Sequence, residues 1–193
     1  MSIIRMLCAL VVLSVPASSV SHAETLDGKQ VGQNAPSRVN KTIGKPVNVQ
    51  ELSCLARNIY YEAGNEPDEG KVAVGLVTLN RTGDTRFSNT VCGVVNQRRP
   101  ITRAHGHAPR AVCQFSWRCV SVRLPVTDNE SWQKSQLIAK TLLINPKVYQ
   151  QLEHKYRNAL YFHEVHVRPS WVKHKQMVAK VGDHLFYRDY RSV

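Results

Sequence analysis

The carboxyl group of Glu62 has the sequence surroundings that best suit acid-base chemistry. Glu62 directly follows Tyr60 and Tyr61 and comes just before Gly64, where we expect a helix to end. The negative end of the helix dipole and the two rings both disfavour an ionised carboxylate there. A glutamate that keeps its proton near neutral pH can act as a general acid. The alternative is an exposed helix-end glutamate without a catalytic role.

The helix that carries Glu62 is predicted from the spacing of its apolar residues. These residues recur at helical intervals and place one face in the core; they are Leu52, Leu55, Ala56, Ile59 and Ala63. Asn48, with Glu51 three residues later, is placed to cap the start of the helix. Glu62 is therefore expected on a helix that packs against the core.

Two further helices are predicted after Gly64. The second runs from Pro67 to about Arg81 and is apolar nearly all round, which is typical of a core helix. Thr127-Asp128-Asn129-Glu130 has the pattern of a capping box for the third helix. That helix should end near Asn145 because Pro146 follows.

The last part of the chain is predicted to form a β-hairpin. Strands are expected over Met177 to Val181 and Leu185 to Arg188, with the turn at Gly182-Asp183. Helices early and strands late indicate an α+β fold. Residues 49–193 are expected to form one small domain.

The first 48 residues are expected to lie outside that domain. Met1 to Ala23 reads as a secretory signal peptide, with Arg5, a short apolar run and a small-x-small cleavage site. The apolar run is too short to span a bilayer as a helix. Glu24 to Asn48 is polar and broken by glycine and proline, which indicates a flexible leader. We therefore expect an exported protein, in the periplasm or outside the cell, with no transmembrane segment in the mature chain.

The mature chain keeps an even number of cysteines, as a disulfide-bonded exported protein does. They are Cys54, Cys92, Cys113 and Cys119. Four cysteines allow three pairings. The short separation of Cys113 and Cys119 favours a bond between them, which would leave Cys54 with Cys92, but the sequence does not decide the pairing. A zinc site is the less favoured alternative, because no C-x-x-C pair is present.

The protein is strongly basic. The formal net charge is +12, and loss of the predicted signal peptide removes one arginine and no acid, which leaves +11. No acidic residue occurs between Asp84 and Asp128, an interval with seven arginines. A basic surface concentrates a protein on anionic polymers of the cell envelope. Nucleic acid would also attract such a surface but is a less suitable partner for an exported protein.

Histidines raise the alternative of a metal site. His163-Glu164-Val165-His166 is one residue too short for the H-E-x-x-H motif, so these histidines cannot share a helical face. His105 and His107 are more easily explained as part of an exposed loop. We therefore predict no metal and no cofactor.

Five sequence blocks between Leu52 and Arg188 carry a family resemblance. They are Ile59-Tyr60-Tyr61-Glu62-Ala63 with its continuation to Leu79-Asn80-Arg81, Phe87 to Gln97, Cys113 to Cys119, Ala159 to His163, and Pro169-x-Trp171 with Val181 to Arg188. Together, and in this order, they resemble the SleB/CwlJ family of cell wall hydrolases, named for the spore cortex-lytic enzymes.

This resemblance implies a lysozyme-like domain, similar to lytic transglycosylases, with a substrate groove across its face. It also implies cleavage of the bond between N-acetylmuramic acid (MurNAc) and N-acetylglucosamine (GlcNAc) in peptidoglycan by one glutamate. By the match, Glu62 would protonate the leaving oxygen and then act as a base, so that the C6 hydroxyl closes onto C1 as a 1,6-anhydro end. A muramidase-type hydrolase that uses water, with a second carboxylate, and a noncatalytic peptidoglycan-binding module remain alternatives.

Substrate-binding residues are predicted mainly within the same blocks. Aromatic rings stack on the apolar faces of sugars, while amides, hydroxyls and imidazoles bond their polar groups. The candidates are Tyr61, Gln97, Gln114, Ser116, Tyr161, His163 and Trp171. Two departures from the family pattern affect specificity. Gly64-Asn65 stands where many relatives have Arg-Gly, and Arg98 to Arg110, longer and more basic than usual, is expected as a loop beside the groove.

Overall fold

The computed structural model describes residues 46–101, 110–123, 125, 129–156 and 158–190. The predicted signal peptide and nearly all of the predicted leader lie outside these residues. In chain order the elements are α1 (Val49–Ala63), α2 (Asp68–Thr82), α3 (Val91–Asn96), β1 (Arg98–Ile101), β2 (Arg110–Cys113), α4 (Glu130–Ile144), α5 (Pro146–Tyr156), β3 (Tyr161–Glu164), β4 (Lys175–Val181) and β5 (His184–Asp189). Short 3₁₀ turns span Ser116–Cys119 and Ser170–His174. Within the described residues, no helix is long and apolar enough to cross a membrane.

Helix α1 lies at the centre of the helical layer and contacts α2, α3 and α4. Leu55 and Ile59, on its predicted apolar face, are fully buried. Gly75 of α2 lets the helices approach closely, because a Cβ atom there would lie 2.7 Å from Leu142 of α4 and 3.1 Å from Ile59. At the start of α1, Asn48 accepts a hydrogen bond from the Gln50 backbone at 2.8 Å. The predicted cap and the predicted burial of α1 are both confirmed.

Proline and asparagine residues lie at the ends of the other long helices. Helix α2 begins directly after Pro67, as predicted. The cap of α4 is Asn129, which accepts a hydrogen bond from the Trp132 backbone at 2.9 Å, while Thr127 and Asp128 of the predicted capping box lie outside the described residues. Pro146 ends α4 and also begins α5, a helix that the sequence analysis does not predict. Proline suits a first helical position because its missing N–H would have no helical partner there.

The predicted hairpin is present and belongs to a three-stranded sheet. Strand β5 lies between β3 and β4 and is antiparallel to both. Phe162 and Phe186 are cross-strand partners that pack toward the core. Because side chains alternate along a strand, Tyr161, His163 and Tyr187 lie on the opposite, outer face of the sheet. The predicted α+β class, with helices early and strands late, is confirmed.

Glu66 connects the turn after α1 to the turn of this hairpin. Its Oε2 accepts a hydrogen bond from the Asp183 backbone at 3.1 Å. Gly182 has a φ of +54°, and a Cβ atom there would lie 1.8 Å from Glu66 Oε2. Glycine is therefore required at Gly182 both for its backbone conformation and for this close approach. The contact holds the sheet against the end of α1, where Glu62 lies.

The two disulfides and a carboxylate fix the segment between α2 and α4. Cys54 is bonded to Cys92 and Cys113 to Cys119, which confirms the favoured pairing. Glu51 of α1 accepts hydrogen bonds from the backbones of Val91 at 2.6 Å and Cys92 at 3.2 Å, at the start of α3.

The predicted basic loop between Arg98 and Arg110 begins and ends as a two-stranded antiparallel ribbon. Its strands, β1 and β2, pair Arg98 with Cys113 and Ile101 with Arg110. Residues 102–109, which join the strands, lie outside the described residues. The structure therefore replaces part of the predicted loop with strand.

We expect the two disulfides to contribute unequally to stability. A disulfide acts mainly by restricting the unfolded chain, and the sequence separations are 38 residues for Cys54–Cys92 and 6 for Cys113–Cys119. Replacing both cysteines by serine should cost about 4 kcal/mol for the first pair and about 2 kcal/mol for the second. Urea unfolding of the two double variants measures the difference. A larger loss for the Cys113–Cys119 pair would contradict this ranking.

Candidate active site

Two cavities meet at Glu62. One, of about 420 Å³, lies between α1, the loop after β2 and strand β3. The other, of about 470 Å³, lies between the end of α1, the start of α4 and the hairpin turn. Glu62, Glu164 and His184 line both cavities. The two cavities together, here called the Glu62 groove, therefore adjoin at Glu62, which lines both halves.

Burial controls the protonation of Glu62. The loss of water raises the pKa of the Glu62 carboxyl to about 7; the positive charge of Arg81 opposes this rise and the negative charge of Glu164 adds to it. Glu62 Oε1 is buried and has no hydrogen-bond partner among the described residues. The direction of the shift agrees with the expectation from sequence, but its main cause is burial rather than the helix end or the neighbouring tyrosines. Glu62 can therefore carry a proton into the groove at neutral pH and accept one there.

Arg81 is the buried cation of the site. It is 4% exposed, its Nε donates to the Leu160 carbonyl at 2.8 Å, and the rings of Phe87 and Phe115 lie 5.1 and 5.0 Å from its guanidinium carbon. Burial lowers the pKa of Arg81 to about 10, so it stays charged at neutral pH. Its Nη1 has no hydrogen-bond partner within the described chain. An unpaired cation beside the acid stabilises the carboxylate that forms when Glu62 gives up its proton.

The loop after β2 forms one wall of the 420 Å³ half of the groove. Gln114, Phe115 and Ser116 line the 420 Å³ cavity. The backbone of Gln114 donates to the Gln97 carbonyl at 2.9 Å, and the Cys113–Cys119 disulfide closes the loop around these residues. Two predicted binding residues, Gln114 and Ser116, thus lie beside Glu62 on a covalently closed loop.

Strand β3 and the 3₁₀ turn that follows it form the facing wall. Tyr161, His163 and Trp171 line the same cavity, and the Trp171 ring lies 5.8 Å from Tyr161 and 5.6 Å from His163. His163 Nδ1 donates to the Glu164 carbonyl at 2.7 Å, so a neutral His163 accepts from the Tyr187 hydroxyl at Nε2, at 3.0 Å. All three residues were predicted to bind substrate, and the fold brings them to one wall.

The hydroxyl of Tyr161 is held by two charged residues. Arg86 Nη1 donates to it at 2.9 Å, and it lies 3.3 Å from Asp189 Oδ2. Lys175 lies 4.3 Å from the ring centroid of Tyr161 and pairs with Asp189. These contacts fix the orientation of an aromatic side chain in the groove.

Tyr61 and Gln97 lie apart from the other predicted binding residues. Tyr61 lines the 470 Å³ cavity, its hydroxyl donates to the Arg123 carbonyl, and its ring stacks on Trp117 at 4.6 Å. Gln97 is not among the described residues that line either half of the groove; its side chain donates to the Arg86 carbonyl at 3.2 Å. Gln97 therefore holds the loop that carries Gln114, and its expected contact with substrate has no support in the geometry.

Three residues of the groove were given no role by the sequence analysis. Arg81 could have been found as a cation inside a helix that is apolar nearly all round. Glu164 is exposed and lines both halves of the groove, but its only sequence signal was an incomplete metal motif. His184 is 4% exposed, and its Nδ1 lies 3.4 Å from Glu66 Oε1. The pairing of β5 with β3 brings His184 opposite Glu164, in both halves of the groove.

No group of three histidine, cysteine or acidic side chains among the described residues is arranged to hold a metal ion. His163 and His166 take separate positions in the site. His163 lines the 420 Å³ cavity, whereas His166 lines the 470 Å³ cavity. His105 and His107 lie outside the described residues.

Comparison with known proteins finds a matching family model and related enzymes. The model of a family described as Cell Wall Hydrolase matches residues 65–187, beginning just after the helix that carries Glu62. The spore cortex-lytic enzyme of Bacillus cereus is 29% identical over 140 residues, which cover 70% of this chain and 43% of that enzyme. The Bacillus subtilis enzyme of the same name is 35% identical over 68 residues, 32% of this chain and 22% of its own length. The chain therefore spans less than half the length of these relatives.

A solved structure shows the same fold. The catalytic domain of the Bacillus cereus SleB protein superposes with a TM-score of 0.53 at 24% sequence identity, covering 77% of this chain and 97% of that domain. At this identity the similarity shows the fold alone. It confirms the small mixed helix and strand domain expected from the family resemblance.

Replacing Glu62 by glutamine should stabilise the protein at alkaline pH. A carboxyl whose pKa rises from 4.5 to about 7 on folding contributes stability below pH 4.5 that is lost as the pH rises through 7. At pH 8, Glu62→Gln avoids this cost and should raise the free energy of unfolding by on the order of 3 kcal/mol. Urea unfolding at pH 5 and pH 8 measures the effect.

Glu164→Gln is the matched control, because Glu164 is an exposed carboxyl in the same groove. It should change the pH dependence of unfolding far less. An equal stability of wild type and Glu62→Gln at both pH values would show that Glu62 titrates as an ordinary surface glutamate.

Proposed function

We propose that this chain, which belongs to the cell wall hydrolase family, cuts the glycan strand of peptidoglycan as a lytic transglycosylase with Glu62 as its acid and base. The observation that carries the proposal is the Glu62 carboxyl itself. It holds a proton near neutral pH, and it lines both of the two adjoining cavities that make up the groove. A polymer that is cut internally needs such a groove, because it has to extend past the acid in two directions.

The substrate class is inferred from the family and from the names of its relatives. Two relatives are named spore cortex-lytic enzymes, and the cortex is a peptidoglycan layer. Since this chain spans less than half of the length of those enzymes, we assign their activity to it only as a proposal. The groove supports the proposal because it combines rings, such as Tyr161 and Trp171, with amide and hydroxyl groups, such as Gln114 and Ser116. This mixture suits amino sugars, which have apolar faces and polar edges.

Glu62 would act twice in one turnover. As a protonated acid it gives its proton to the oxygen that links C1 of MurNAc to the next GlcNAc, and the C1–O bond breaks. The resulting carboxylate then accepts the proton of the C6 hydroxyl on the same MurNAc while O6 bonds to C1. The products are a GlcNAc end and a 1,6-anhydro-MurNAc end. The proton returns to Glu62, and no water is consumed.

Arg81 supports this cycle without moving a proton. The negative charge on Glu62 exists only after the first transfer, and the attraction of Arg81 favours that ionised form. Because Arg81 is buried, its charge acts on the carboxyl with little screening by water. Burial therefore keeps the proton on Glu62 until the substrate is bound. Arg81 then lowers the free energy that is needed to transfer this proton to the glycosidic oxygen.

The hydrolase alternative has one observation in its favour. Glu164 is a second carboxylate that lines both halves of the groove with Glu62. A hydrolase needs a second carboxylate to activate water or to bond to the sugar. Glu66 is less suited to that task, because it is held by the Asp183 backbone.

We further propose that the protein acts outside the cytoplasmic membrane. Peptidoglycan is found there, and the predicted signal peptide and the disulfides suit that location. The net charge of +12 suits association with anionic envelope polymers.

The products formed from purified peptidoglycan distinguish these possibilities. We expect mass spectrometry to find 1,6-anhydromuropeptides with the wild type, and Glu62→Gln and Glu62→Ala to lower their rate of release by roughly 10²- to 10⁴-fold. Reducing-end products would instead show that water is the acceptor, and a loss of activity in Glu164→Gln would then identify the second carboxylate. Binding to the wall without any glycan product would indicate a noncatalytic module.

The rate should fall as Glu62 loses its proton. With a pKa of about 7, the rate of glycan release should halve near pH 7 and then fall about tenfold per pH unit. Glu164→Gln removes a negative charge that raises the Glu62 pKa, so it should move this decline to lower pH. Release rates between pH 5 and pH 9 for both proteins measure the shift. A decline at the same or higher pH in Glu164→Gln would contradict the coupling of the two carboxyls.

A further inference from the structure

A third cavity, of about 610 Å³, lies beside the Glu62 groove. It is bounded by the outer face of the sheet, through His163, Leu185 and Tyr187, and by the segment that includes Arg168 and Lys173. We call it the side cavity. Its volume is in the range of sites that bind small molecules and short peptides.

The side cavity is a direct neighbour of the catalytic groove. His163 and Val167 line both the side cavity and the 420 Å³ half of the Glu62 groove. Val167 is 48% exposed, although it is apolar. These two side chains therefore lie where a branch on a sugar held in the groove would enter the side cavity.

The lining of the side cavity combines apolar surface with positive charge. Val165, Val172 and Leu185 are half-buried and supply aliphatic surface. Arg168 and Lys173 are exposed, and the described residues that line the cavity include no carboxylate. The cavity is therefore suited to a ligand that is partly aliphatic and negatively charged.

The side chains of Arg168 and Lys173 form no ion pair or hydrogen bond with the described residues. Arg86 and Lys175, by contrast, both pair with Asp189. Arg168 and Lys173 thus remain available to the carboxylates of a ligand.

We propose that the side cavity binds the acidic stem peptide of the same peptidoglycan strand whose sugars lie in the Glu62 groove. This inference rests on the proposed function. Each MurNAc carries a short peptide that has small aliphatic side chains and several carboxylates. A MurNAc beside Glu62 would direct this peptide past Val167, where aliphatic surface and cations are found together. A simple polyanion would use the charges but not the half-buried aliphatic surface.

Binding of soluble fragments by calorimetry tests the inference. The probes are the disaccharide GlcNAc-MurNAc with its stem peptide and the same disaccharide without it, neither of which contains the bond to be cut. We expect the wild type to bind the peptide-bearing probe about tenfold more tightly, as two exposed charge contacts and some apolar burial allow. The double variant Arg168→Gln/Lys173→Gln should bring that ratio close to one.

Lys140→Gln/Lys147→Gln is the matched control, because it removes the same charge from exposed lysines of α4 and α5 that line none of the three cavities. It should keep the tenfold ratio. The inference is overturned if the wild type shows no preference, if Arg168→Gln/Lys173→Gln keeps it, or if the control pair loses it equally. Failure of the proposed function would look different, since peptidoglycan would then stay uncut or give reducing-end products whatever the binding ratio.

Discussion

Removal of the Glu62 carboxyl from water is the interaction on which the site depends. Burial alone would leave a carboxyl that holds its proton too tightly, and an unopposed Arg81 would leave one that loses it too easily. The balance of the two keeps the pKa near 7. It requires the end of α1, the last turn of α2 at Arg81 and strand β3 at Glu164 to meet within one groove. The contacts between helices and sheet therefore set the chemistry.

Two sets of contacts hold helices and sheet in this arrangement. Asn80 and Arg81 of α2 donate to the carbonyls of Ala159 and Leu160, just before β3, at 3.0 and 2.8 Å. Glu66 accepts from Asp183 in the hairpin turn. Arg81 thus attaches α2 to the sheet with one part of its guanidinium and acts on Glu62 through its charge. A substitution of Arg81 would therefore change both the attachment of α2 to the sheet and the charge that acts on Glu62.

Local patterns predicted the three long helices and the late hairpin, but not the shorter elements. The apolar spacing of Leu55 and Ile59 and the cap at Asn48 are short-range features, and the structure confirms both. Helix α3 is short, with Thr90 as its cap, and helical spacing cannot identify so brief an element. Gln97 and Gln114 look alike in sequence, but Gln114 lines the groove whereas the Gln97 side chain donates to the Arg86 carbonyl.

The sequence by itself determined the helix that carries Glu62 and the late hairpin, because each depends on residues close together in the chain. The order of such local patterns along the chain determined the α+β class and the family resemblance. Tertiary structure alone decided which groups share the groove. Arg81, Glu164 and His184 lie far apart in sequence from one another, and no local pattern relates them to Glu62. Their effect on its proton depends on burial and on distance in space, and both are properties of the packed domain that a linear pattern does not contain.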